Sequence, residues 1–292
     1  MAFLRGVGLV ATVVAAVVAW PGAWHSTRAE PLGGPVKKTQ GSACDRAAFR
    51  LVVDVGHTAE SPGAKSARGV GEYDFNLRLA TLIEQDLLRA GFGKTVLLIT
   101  DGPTRPGLAE RVARANALSA DLLLSIHHDS VPDRFLEAWE YEGERRYYSD
   151  RFTGHSIFIS NQNVNAGASL VFGRLLGEEL KARDLQYTPH YVEKFMGHRQ
   201  RLLVDANVGV YRYDQLIVLR KTHMPAVLLE AGSIINRDEE LRMSSHERQV
   251  LISAAVIDAV ESFCAVRRPR QPDRARATTV AKPSPSLSAG AR

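Results

Sequence analysis

Apolar positions along this chain change period from segment to segment. Leu51-Val52-Val53-Asp54-Val55 is a short, mostly apolar run closed by Gly56, the pattern of a buried strand. Residues 72–90 instead place Phe75, Leu79, Leu82, Ile83 and Leu87 at helical spacing and stop before Gly91. The same reading predicts strands over 96–99, 122–126, 155–159, 216–219 and 226–229, and helices over 107–118, about 167–183 and 245–263. Strands alternating with helices argue for an α/β fold, a mostly parallel twisted sheet flanked by helices in a single domain over residues 44–266. No internal repeat is visible.

The two ends follow different patterns. Residues 1–29 carry Arg5, an uncharged apolar run from Gly6 to Trp20, and Thr27-Arg28-Ala29. A charged start, a short hydrophobic region and a small-residue cleavage site read as a secretory signal, with a retained anchor as the alternative. The run is short for a membrane span, and no later stretch approaches about 18 consecutive apolar residues, which excludes a multi-span membrane protein. Residues 30–43 read as a linker containing Pro and Gly. From Arg267 the chain runs RRPRQPDRARATTVAKPSPSLSAGAR, with almost nothing to bury, and reads as a disordered basic tail over 267–292.

Charge changes the picture once these ends are set aside. The chain carries +5 overall, but the tail holds seven basic residues and one acidic, and residues 1–29 hold two basic ones, so residues 30–266 carry −3. A mildly acidic domain lacks the basic face that nucleic-acid binding requires, and no nucleic-acid partner is expected. Cys44 and Cys264 are the only cysteines and bracket the domain. In an exported chain such a pair suggests a disulfide, with two buried thiols as the alternative. Gly41-Ser42-Ala43 before Cys44 imitates a lipoprotein processing site, but it lies more than twenty residues beyond Trp20, too far for lipidation.

Three predicted strands run into residues that bind metals or move protons: His57, the pair His127-His128, and Glu230. In an open α/β sheet, ligands bind beyond the carboxyl ends of the strands, so these residues would share one rim. Glu72 opens the first helix, after the loop leaving the His57 strand, and can reach the same rim. Two imidazoles and a carboxylate with a position left open match a catalytic zinc site, and a second carboxylate nearby can act as general base. Among nine histidines, any single one is more often a surface or satisfied core residue than a ligand. Spacing does not separate His127 from His128: side chains alternate along a strand, so only one of them faces the metal.

The segments VVDVGHT (52–58), GEYDFN (71–76), SIHHDS (125–130) and PAVLLEAGSIINRDEE (225–240) resemble the zinc-dependent N-acetylmuramoyl-L-alanine amidases of the type-3 family, in the family's order and across most of residues 50–262. The resemblance implies zinc held by His57, Glu72 and His127, with Glu230 as the catalytic carboxylate. It implies hydrolysis of the amide between N-acetylmuramic acid and L-alanine of the peptidoglycan stem, by an exported protein of the periplasm or cell envelope. A monomer is expected. Asn76, Arg111 and Asn116 fall on family-like positions where structural support is expected, and Asp54 either orients His57 or is an inward strand residue satisfied by backbone donors.

Several positions depart from the family. His128 stands where a small residue is usual, so it is expected to line the cleft or tune the site. Ser233 stands where an aromatic is common, which would alter the cleft wall. The connection over 131–153 is long and holds Trp139, Tyr141, Tyr147, Tyr148 and Phe152, readable as a substrate lid, a partner surface or a locally packed excursion. Some relatives insert an inhibitory helix before the last strands. Residues 185–205 are too short for a convincing copy, which points to constitutive activity or another control. Two rival readings are a zinc peptidase cutting within stem peptides and a wall-binding module or amidase activator that has lost catalysis. Intact His57, Glu72, His127 and Glu230 argue against the second.

Overall fold

Strand β1 (Arg50–Val55) buries every residue after its first, so it needs cover on both faces and both edges. It lies between β2 (Lys94–Leu98) and β3 (Leu122–Asp129), parallel to both. The structure, a computed structural model, describes residues 44–267; the signal, the linker and the tail beyond Arg267 lie outside the described residues.

β9 (Ala226–Ser233) runs parallel to β3 on its other side. β6 (Ser156–Ile159), β7 (Leu202–Asp205) and β8 (Val210–Arg212) complete a seven-stranded sheet of order β2-β1-β3-β9-β6-β8-β7. Four of its six pairings are parallel; β6 with β9 and β7 with β8 are antiparallel. A separate hairpin joins β4 (Glu137–Tyr141) to β5 (Glu144–Tyr148).

Alternation along the strands divides the core between the two faces. Leu51, Val53, Val55, Leu122, Leu124, Ile126, Val227 and Leu229 meet α1 (Glu72–Arg89), α3 (Ala166–Ala182) and α6 (His246–Val266). Val52, Leu123, Ala226 and Leu228 face α2 (Thr104–Ala117) and α4 (Ile217–Lys221). In α1 the buried Phe75, Leu79, Ile83 and Leu87 recur every fourth residue, while Leu82 is half-buried beside them. α5 (Arg237–Ser244) is capped by Asn236, whose side chain accepts from the backbone N–H groups of Asp238 and Glu239. By length and composition α6 could cross a membrane, but Ile252, Ala255, Val256, Ala259, Val260 and Phe263 are buried in the core.

One predicted element changes type. Residues 216–219 form no strand: Ile217–Lys221 is one turn of helix, with Val218 and Leu219 buried. Four apolar residues carry too few periods to distinguish a strand from a helical turn.

Cys44 and Cys264 form a disulfide that ties the first described residue to the last turns of α6, across a separation of 220 residues. Constraining so long a loop in the unfolded chain is worth on the order of 4–5 kcal/mol in the chain-entropy model, often less in practice. Cys264→Ala is expected to lower stability by about 2–5 kcal/mol in denaturant titrations of oxidised protein, and reduction should leave the variant unaffected. A second prediction concerns acid. Burial pulls the His155 pKa from 6.5 down to about 4, so the fold favours neutral imidazole. Its contribution is present above about pH 6.5 and lost as the pH falls toward 4. His155→Gln should flatten the decline in unfolding free energy over that interval.

Candidate metal centre

The chain leaves β1 through Gly56 and His57, and His57 adopts a left-handed backbone conformation with φ 66°. A non-glycine residue held there needs its surroundings to impose the conformation. Arg111 supplies part of that constraint: its Nη2 donates to the His57 carbonyl at 2.6 Å and to Thr100 Oγ1 at 2.7 Å. Arg111 is itself fixed by Asp54, 3.2 Å from Nε, and Ser125 Oγ donates to the other oxygen of Asp54 at 2.6 Å. Asp54 therefore acts on His57 through Arg111 and the backbone. Burial raises the Asp54 pKa, and Arg111 and Ser125 oppose the rise.

Glu72, at the first position of α1, brings the ligands together. Its Oε2 lies 2.9 Å from His57 Nε2 and its Oε1 2.9 Å from His127 Nδ1. Ala64 N–H and Asn76 Nδ2 each donate to it at 3.2 Å, and His128 N–H at 3.3 Å. Burial alone would raise its pKa, but hydrogen bonds and charge from His127 and His57 outweigh burial and hold it well below the usual carboxylate range. The three ligand atoms lie within 4.8 Å of one another.

Two glycines make room for this cluster. A Cβ on Gly56 would lie 2.4–2.7 Å from the His127 ring, and one on Gly63 would lie 2.5 Å from Glu72 Oε2 and 2.6 Å from His57 Cδ2. Gly63 also has φ +76°, which side chains rarely adopt.

The structure separates the two adjacent histidines. β3 continues to Asp129, so His127 shares a face with Ser125, while His128 is turned to the opposite face and buried. His128 Nδ1 pairs with Asn76 Oδ1 at 2.8 Å, and burial takes its pKa down to about 3. It does not line the cavity; of the two expectations for it, the contact with Glu72 and Asn76 matches the one in which it tunes the site. Asn76 is thus shared between His128, Glu72 and the Gly56 carbonyl.

Parallel register sets Glu230 opposite His127 on the neighbouring strand. Both line a cavity of about 340 Å³ with His57, Thr58, Arg111 and Ser125, closed on its apolar side by Leu108 and Leu216–Val218. Glu230 Oε2 is buried with no hydrogen-bond partner. Burial, Asp129 and Glu72 together push its pKa well above the ordinary carboxylate value, and Arg199 opposes them.

Some neighbours escape sequence reasoning. Tyr191 Oη donates to both oxygens of Asp129, at 2.9 and 2.8 Å, and Arg199 Nη2 lies 3.7 Å from the same carboxylate. Burial raises Asp129 to about 6, against the Tyr191 hydrogen bond. Tyr191 and Arg199 come from two short 3-10 turns, His190–Val192 and Lys194–Arg199, in the segment too short for a long inserted helix. The signal available was Asp129 itself, an acid beside the histidine pair. Asn116 lies apart from the centre and pins α2 to the chain after α4 through the Lys221 carbonyl and His223 N–H. Ser233 is buried, its N–H bound by Glu239, and it is absent from the cavity wall.

Two imidazole nitrogens and a carboxylate oxygen, spaced by glycines and with a cavity on one side, fit a four-coordinate divalent metal that keeps one position open.

Comparison with known proteins gives the family and the fold. The Amidase_3 family, described as N-acetylmuramoyl-L-alanine amidase, matches residues 51–262. Among curated relatives, the N-acetylmuramoyl-L-alanine amidase Rv3717 of Mycobacterium tuberculosis is 21% identical over 208 residues, covering 71% of this chain and 75% of that protein. Among solved structures, the amidase Ami1 of Mycobacterium smegmatis shares the fold at a TM-score of 0.57 and 19% identity, covering 77% of this chain and 100% of that one. The catalytic domain of CwlV from Bacillus (Paenibacillus) polymyxa var. colistinus aligns with a TM-score of 0.54 and 25% identity, over 75% of this chain and 99% of that one. Since the family match spans most of the described residues, the chain belongs to the N-acetylmuramoyl-L-alanine amidase family Amidase_3.

Proposed function

We propose that this protein hydrolyses the amide joining the lactyl group of N-acetylmuramic acid to L-alanine of the peptidoglycan stem, with zinc held by His57, Glu72 and His127. The observation that carries the reading is the convergence of those three candidate ligand atoms within 4.8 Å, with Glu230 lining the same cavity as His57 and His127 and keeping one carboxylate oxygen without a hydrogen-bond partner. Zinc in such a set supplies a Lewis acid for the scissile carbonyl and makes water nucleophilic near neutral pH.

The chain's own groups divide the remaining work. Glu72 stays anionic between two imidazoles and fixes both rings. Arg111 fixes the backbone of His57. Glu230 accepts the proton of the attacking water and returns it to the departing nitrogen of L-alanine. Burial and the neighbouring Asp129 and Glu72 raise its pKa, which favours the protonated form that donates to the departing nitrogen. Because Glu230 must be ionised to accept, turnover falls as the pH drops through its elevated pKa, above the range of an ordinary carboxylate. The substrate lies outside the cytoplasm, which suits the secretory signal read over residues 1–29 and a place in the periplasm or cell envelope.

His127→Ala is expected to lose both zinc and activity, whereas His128→Ala keeps stoichiometric zinc by metal analysis; the reverse result would overturn the ligand assignment.

Glu230→Gln preserves shape while abolishing proton acceptance. It should fold, retain zinc and lose about 10²–10⁴-fold in turnover on soluble muramyl-peptides. Near-normal hydrolysis would remove Glu230 from the mechanism, and loss of zinc would recast it as a ligand. Mass spectrometry of the products decides the bond: an amidase frees the amine of L-alanine, and a cut between two amino acids would make the enzyme a peptidase.

A further inference from the structure

The aromatic connection after β3 is built as a fixed wall. Glu142 and Gly143 both take positive φ, 54° and 76°, giving the tight two-residue turn that closes β4 onto β5. The half-buried face of the hairpin carries Trp139, Tyr141, Arg146 and Tyr148. Trp139 Nε1 donates to the Ala67 carbonyl at 3.0 Å. The Arg68 guanidinium stacks over Trp139 and Tyr141, 5.6 and 5.4 Å from their centroids, while its Nη1 pairs with buried Glu240 at 2.6 Å. Arg237 lies 3.7 Å over Tyr148 and pairs with Asp150 at 2.5 Å. Cation–π stacking anchored by ion pairs at both ends holds the hairpin against the 64–70 loop and the start of α5.

This wall lines a second cavity of about 350 Å³ whose charge runs opposite to the mildly acidic domain around it. Lys65, Arg145 and Arg146 line it, against one acidic residue, Asp133. Lys65 and Arg145 have no carboxylate partner among the described residues, and both are exposed. Arg146 is spent differently. It pairs with Glu144 at 2.5 Å, packs where a Cβ on Gly69 would lie 2.6 Å from its Cζ, and keeps a buried Nε without a hydrogen-bond partner.

One loop separates this cavity from the metal centre. Ala64 lines the cavity while its N–H donates to Glu72, and Gly63 packs on Glu72 and His57. From Gly63 to Lys65 the chain spans at most about 7 Å, roughly two residues of extended peptide. Lys65 therefore lies within two residues of the backbone that contacts His57 and Glu72, on the loop shared by the centre and this cavity.

We propose that this cavity is a carboxylate-binding subsite, in which Lys65 and Arg145 recognise a free carboxylate of the stem peptide and Arg146 shapes the wall. The inference rests on the amidase reading above and adds a basis for substrate choice. Guanidinium and ammonium groups gain charge-assisted hydrogen bonds from a carboxylate that a carboxamide cannot offer. A stem peptide amidated at those positions leaves both cations unpaired and is the poorer substrate.

The test uses two soluble muramyl-peptides, identical except that the stem carboxylates are free in one and converted to carboxamides in the other. Calorimetry on the metal-free full chain gives the two affinities, and kcat/KM is measured on the zinc-loaded enzyme. The free acid is expected to bind and react about tenfold better than the amide. The Lys65→Gln, Arg145→Gln double variant, which alters only exposed side chains, should abolish that preference, so that acid and amide bind and react alike. Equal affinity for acid and amide in the unaltered chain, or a preference that survives in the double variant, would overturn the subsite. Tighter binding of the acid with hydrolysis of neither peptide would sustain the subsite and defeat the amidase reading.

Discussion

A carboxylate buried at the end of a helix is costly unless every lone pair is engaged, and Glu72 is 5% exposed. Its two oxygens are shared among His57, His127, Asn76 and the backbone N–H groups of Ala64 and His128. Those partners come from the loop after β1, from α1 and from the end of β3. Satisfying one buried acid therefore fixes the relative position of three segments far apart in sequence. The glycines at 56 and 63 are where this constraint meets the backbone, since any side chain there would enter the space of the rings or the carboxylate.

Around that carboxylate, the other buried acids are satisfied in ways that serve it. Asp54 holds Arg111, and Arg111 holds the strained backbone of His57. Asp129 is held by Tyr191, which brings the 190–199 segment against the end of β3. Glu230 Oε2 is buried without a hydrogen-bond partner, as is Asp54 Oδ1, but Asp54 Oδ1 has the Arg111 guanidinium 3.2 Å away. The unpartnered Glu230 oxygen belongs to a residue that lines the same cavity as His57 and His127.

The peripheral features extend the same logic outward. The disulfide fixes the entry of the chain to the last helix on the core side of α6. The hairpin, secured by Trp139 and two stacked arginines, turns an insertion into a rigid boundary beside the centre.

Hydrophobic period alone predicted the central strands and α1, α3 and α6, because those elements bury long, regular faces whose partners need not be known. Strand-end placement likewise pointed to His57, the His127-His128 pair and Glu230, and a helix start to Glu72, since ligands bind at the carboxyl rim of such a sheet. The failures share one cause. Residues 217–221 became a helical turn, and β7, β8 and the hairpin went unpredicted, because short or half-exposed segments take their form from neighbours rather than from their own period. Spacing could not choose between His127 and His128. That choice came from the continuation of β3 to Asp129, which turns one ring toward Glu72 and the other toward Asn76. The linkage of Asp54 to His57 through Arg111, and of Asp129 to Tyr191, was equally invisible in one dimension. Residue types and periodicity determined which groups this protein carries and on which rim they stand; only packing in three dimensions decided which of them touch, because hydrogen bonds and charge act over a few ångströms of space and not along the chain.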